Sequence, residues 1–165
     1  MKHFRGLPLL IAAVVLAAVV AGTAFGAAPK KMAFTASYKG TVAEKIDQNT
    51  VNAKATGTGT ATGIGKGGLA GSVVATTSAD QPCAPFNGPG TLTGTKGKLK
   101  VTVVTGSCGC AASQEDKDSI SLVGTVKVNG GTLKFKKAKG TLRFTGHYDR
   151  KGGSFNVKLT GSLTY

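Results

Sequence analysis

With 165 residues, 25 glycines, no tryptophan and a formal net charge of +14, the chain has room for one domain with a single core. Only one histidine, His147, lies beyond the first 30 residues, so a histidine-based triad or a multi-histidine metal site finds no partners. The excess of 21 basic over 7 acidic side chains draws the protein toward polyanions.

Lys2 and Arg5 precede an apolar run from Leu7 to Val20, and small residues follow through Ala28. That order is the pattern of an export signal. Residues 1–26 therefore read as a signal helix and 27–165 as one exported domain, secreted or held in the cell envelope. The alternative is an uncleaved anchor, since the apolar run can be stretched to about 20 residues, enough to span a bilayer. After cleavage no transmembrane segment is expected, and the remaining chain carries +12, because the leader holds two bases and no acid. No cysteine lies in the first 30 residues, which disfavours a lipid anchor.

From Met32 onward apolar residues recur at every second position, the period of a half-buried strand. Phe34, Ala36, Tyr38, Gly40 and Val42 oppose Thr35, Ser37, Lys39 and Thr41. Phe155, Val157, Leu159, Gly161, Leu163 and Tyr165 do the same at the C-terminus. Strands are predicted over residues 32–43, 50–62, 69–77, 90–95, 97–105, 119–128, 132–145 with a break near Lys139, and 154–165. Hairpin connections fall at Lys96-Gly97, Asn129-Gly130-Gly131 and Lys151-Gly152-Gly153, where glycine tolerates positive φ. Gly40, Gly124, Gly146 and Gly161 sit mid-strand on the apolar side, which calls for bends or close approach of neighbouring walls. The fold class is all-β, a single antiparallel barrel of about eight strands, with a two-sheet sandwich as the alternative.

Gly130–Gly140 (GGTLKFKKAKG) with the following Thr141, Leu142, Arg143 and Phe144 resembles the G-G-T-G-x-F-x-x-A-x-G element of the dirigent and allene-oxide-cyclase barrel superfamily, Leu133 standing where that element has a glycine. The resemblance implies an eight-stranded antiparallel barrel. In plant members such a barrel guides phenoxy-radical coupling or cyclises an unsaturated epoxide.

Chemistry-bearing residues are sparse. Glu44 keeps the parity of Tyr38 and Val42, and with Tyr38, Tyr148 and Tyr165 it forms the candidate interior pocket. Lys134, Lys136, Lys137 and Lys139 form the one dense basic run, a candidate patch for a polyanion or cell-envelope polymer. No sequence-specific nucleic-acid contact is indicated. In an oxidising compartment Cys83 pairs with Cys108 or Cys110, leaving one thiol; a metal site built from the three is a weaker reading. The cysteines lie in the two least strand-like stretches, 80–85 and 108–118, with Asp80, Glu115, Asp116 and Asp118. A disulfide would bring both stretches to one end, as an acidic rim on a basic body. Gly63–Gly68 matches G-x-G-x-x-G without a surrounding βαβ unit, and reads as a loop. No cofactor is expected. The leading functional expectation is a non-catalytic binding or structural barrel; the alternative is a dirigent-like or cyclase-like enzyme, or a carrier of a small apolar ligand in the barrel interior.

Overall fold

A computed structural model describes residues 28–78, 80–113 and 115–165. The signal peptide read over 1–26 lies outside them.

Nine strands form one antiparallel sheet: β1 (Lys31–Asp47), β2 (Thr50–Ala61), β3 (Gly65–Thr76), β4 (Cys83–Gly94), β5 (Gly97–Val103), β6 (Cys108–Ala111), β7 (Ser119–Gly131), β8 (Lys139–Asp149) and β9 (Ser154–Thr164). Each strand pairs with its successor in the order β3-β2-β1-β9-β8-β7-β5-β4, and β3 pairs back onto β4 through Leu69↔Leu92 and Ala75↔Phe86. The sheet therefore closes into an eight-stranded barrel with one extra short strand, not a two-sheet sandwich. Closure removes both free edges, which an open sheet would leave as templates for aggregation.

The extra strand, β6, continues the path of β5. Both run antiparallel to β4 on one side and to β7 on the other. Between them residues 104–107 leave the ladder, and the buried Ser107 repairs the gap: its Oγ donates to the Val104 carbonyl at 2.8 Å and accepts from the Thr125 amide at 3.1 Å. A side chain at Gly124 would strike Ser107 and the Phe144 ring, so glycine there makes room for the repair. Gly40 serves a similar end, since an added Cβ would collide with the Thr56 carbonyl of the adjoining strand.

Three sequence expectations need correction. Residues 65–68, expected as part of a loop, open β3 and pair with the end of β2. Residues 83–85 and 108–111, expected as irregular loop, are strand. A four-residue piece carries too little alternation to announce itself, and its ladder is supplied by β4 and β7 from either side. Residues 132–138, expected as strand, instead contain a 3-10 turn, Leu133–Phe135. Asn129 pairs with Lys139, so the connection between β7 and β8 is a longer loop than a tight hairpin at 129–131. Within it Gly130, at φ +90°, donates to the Ala138 carbonyl, and Phe135 and Ala138 turn inward, each 0% exposed.

Inward positions are apolar and outward positions polar along most strands. In β1 the inner face carries Phe34, Ala36, Tyr38 and Val42, and the outer face carries Thr35, Ser37, Lys39 and Thr41. That is the reverse of a barrel whose outer wall meets lipid. Among the described residues no helix is long and apolar enough to cross a membrane.

Candidate functional site

The two ends of the barrel differ. Strand direction places the start of β1, the ends of β2 and β4 and the β7–β8 loop at one end, here called the floor. There Phe34, Ile64, Leu99, Phe135 and Leu163 are fully buried and pack the interior solid. At the other end, the mouth, the interior holds an apolar cavity of about 220 Å³. Phe86, Phe144, Phe155, Leu122 and Val73 line it, and small side chains at Ala53, Ala55 and Ala75 leave the space open. β2 and β3 turn Ala53, Ala55, Gly71 and Ala75 to this space beside the larger Val51, Leu69 and Val73, whereas the floor presents phenylalanine and leucine.

The polar members of the lining gather at the mouth. Glu44, near the end of β1, faces Arg150, just past β8, with Nε 3.6 Å from Oε2. That ion pair is too long for a hydrogen bond, and the buried Arg150 Nε has no acceptor within hydrogen-bond reach. Tyr148 lies beside them, 7% exposed, its phenol pushed up to about 12 by burial first and then by the Glu44 carboxylate. It stays protonated and able to donate across the neutral range. The site thus combines a carboxylate acceptor, a phenol donor and an unspent guanidinium donor above an apolar chamber.

The four residues expected as an interior pocket separate. Glu44 and Tyr148 meet at the mouth. Tyr38 is 1% exposed but does not line the cavity; its hydroxyl has no hydrogen-bond partner, and burial pushes its phenol up to about 12. Tyr165 lies at the floor, its ring 5.1 Å from that of Phe135. Its parity is right, but parity says nothing about height along the barrel. Arg150 escaped the sequence reading although it continues the inward parity of Tyr148, because it falls in the turn after the strand. Phe86 was missed for want of a predicted strand around it.

The lysine run is likewise divided. Lys136, Lys137 and Lys139 border a groove of about 490 Å³ with Lys127, beside the β7–β8 loop. Lys134 turns away, its Nζ 5.1 Å from the Phe135 ring centre and 5.5 Å from that of Tyr165.

Cys83 and Cys110 stand directly opposite each other on β4 and β6 and form a disulfide. Cys108 keeps its thiol, 3.8 Å from the Cys110 sulfur. The three sulfurs lie within 4.8 Å of one another, but two of them are joined in the disulfide, which leaves Cys108 as the single thiol of the group. Asp80 and the 115–118 acids lie in the mouth connections next to this disulfide. Asp116 accepts from the Ser119 amide at 3.0 Å, so one of these carboxylates stabilises its own turn. Glu44, Asp47 and Asp149 are also at this end. Every one of the chain's 7 acids is therefore at the mouth.

No protein family, no curated protein and no solved structure matches this chain.

Proposed function

We propose that the protein is an exported, non-catalytic binding barrel that holds a small, largely apolar molecule bearing one oxygen-containing head group. The observation that carries this reading is the chamber of about 220 Å³ with apolar walls, whose polar groups converge at its mouth. An engineered apolar cavity of about 150 Å³ is enough to hold benzene, so this chamber suits a compact ring system or a short acyl chain. The buried Arg150 Nε without an acceptor is the natural donor to a ligand oxygen, and Glu44 can accept from its hydroxyl. Kinship with the dirigent and allene-oxide-cyclase barrels is consistent with this use of the interior, and a cyclase-like reaction is the alternative that the Glu44 and Tyr148 pair keeps open.

The test is titration of the folded domain with 1-naphthol, an apolar ring system with a single hydroxyl, followed by calorimetry. Saturable binding of one molecule per chain is expected, with a rise in melting temperature at saturation. Ala53→Phe places a ring in the empty space and should abolish binding while leaving the fold intact. Binding that survives Ala53→Phe unchanged, or no binding at all, would refute the reading.

A further inference from the structure

The floor carries the opposite electrostatic character to the mouth. Lys30 and Lys31 lie at the start of β1, Lys66 is the second residue of β3, Lys96 and Lys98 flank the β4–β5 turn, Lys134, Lys136 and Lys137 lie in the β7–β8 loop, and Lys139 opens β8. All nine are exposed, and no aspartate or glutamate lies among them. At the start of the 3-10 turn in the β7–β8 loop Leu133 is 74% exposed, the most exposed large apolar side chain among the described residues. Its backbone sits at φ +54°, a conformation that favours glycine. A branched apolar side chain is thus held outward, in a disfavoured conformation, next to Lys134 and close to Lys136 and Lys137. With about three-quarters of its surface in solvent, the leucine gains little packing within the chain in return for that conformation.

We infer that the floor is a docking surface for an anionic lipid bilayer, with Leu133 entering the interface and the surrounding lysines contacting the headgroups. Clustered lysines are drawn to anionic lipid within a Debye length of the surface, and a single apolar side chain adds a short-range, salt-independent contribution. A soluble polyanion has use for the lysines and none for the leucine, which favours the bilayer. The acids at the mouth set the orientation. The same surface potential repels them, so the barrel settles floor-down with its chamber facing away from the membrane. The chain also enters the barrel at this end, where Lys30 pairs with Tyr165.

Flotation of the domain with vesicles of mixed phosphatidylcholine and phosphatidylglycerol, against phosphatidylcholine alone, tests it. Binding to the anionic vesicles alone is expected, weakening as salt rises. Leu133→Gly relaxes the backbone, so it should fold at least as well, yet bind the anionic vesicles about tenfold more weakly, the loss expected for one partly inserted leucine. Its binding to soluble polyphosphate should not change. Paired Lys136→Glu and Lys137→Glu should lower vesicle binding at least a hundredfold. In a Cys108→Ser background, an environment-sensitive dye on Leu133→Cys should shift to the blue on vesicle addition, and one on Ile46→Cys at the mouth should not. Absence of binding to anionic vesicles at low salt would overturn the inference. So would unchanged vesicle binding in Leu133→Gly, which would assign the floor to soluble polyanions, or a blue shift at Ile46→Cys alone.

Discussion

Replacing Tyr38 with phenylalanine isolates one defect in the packed part of the barrel. The Tyr38 side chain is 1% exposed and its hydroxyl has no hydrogen-bond partner. A buried hydroxyl without a partner costs about 1–3 kcal/mol relative to its hydrated state in the unfolded chain. Phenylalanine removes that cost and keeps the ring in place, against the backbone of Gly59, where no side chain could fit. Tyr38→Phe should therefore stabilise the fold by about 1 kcal/mol, a rise in melting temperature of about 4 °C for a domain of this size. Urea unfolding of the two proteins, with equal m-values, supplies the comparison. Destabilisation by about 1 kcal/mol or more would refute the reasoning, for it would mean that the hydroxyl is bonded in the folded protein. Alkaline titration gives an independent check. The folded phenol is pushed up to about 12 from the ordinary 10.0, so the folded state holds this proton more firmly than the unfolded state. Stability is then full below pH 10 and falls as pH rises from 10 toward 12; Tyr148 titrates in the same direction. Tyr38→Phe should make that decline shallower without abolishing it.

Other outcomes follow from the same geometry. The Cys83–Cys110 disulfide closes 27 residues of chain, so Cys83→Ser, or mild reduction, should lower stability by about 3.5 kcal/mol. Cys108→Ser should leave the bridge and the melting temperature close to those of the parent, and thiol counting should fall from one to zero. Gly124→Val forces a side chain into Ser107 and Phe144, and should cost about 3 kcal/mol or prevent folding, read by circular dichroism and thermal melts. Ser107→Ala removes the hydroxyl that serves the Thr125 amide and the Val104 carbonyl, and should cost about 2 kcal/mol in urea unfolding.

Much of the strand content was legible because alternation is a local property: one residue per face, repeated, with glycine at the turns. Phe34 to Val42 and Phe155 to Leu163 needed no knowledge of their neighbours to be assigned. The mid-strand glycines also carried information, since Gly40 and Gly124 sit where an adjoining strand or loop comes too close for a side chain. The candidate site was only half legible. Glu44 and Tyr148 were on the correct face, but Tyr165 shares that face at the opposite end, and Tyr38 faces inward without reaching the chamber.

By itself, then, the order of residues determined the all-β class and the inward and outward faces, because both depend on a local period, and it narrowed the disulfide to Cys83 with Cys108 or Cys110. Tertiary structure decided the rest. Closure of β3 onto β4, the choice of Cys110 over Cys108 and the pairing of Glu44 with Arg150 all depend on register between strands far apart in the chain. So does the contrast between a solid basic floor and a hollow acidic mouth. Alternation along a strand tells which side a residue faces; only the stagger of the closed sheet sets its height, and height is what brings groups together.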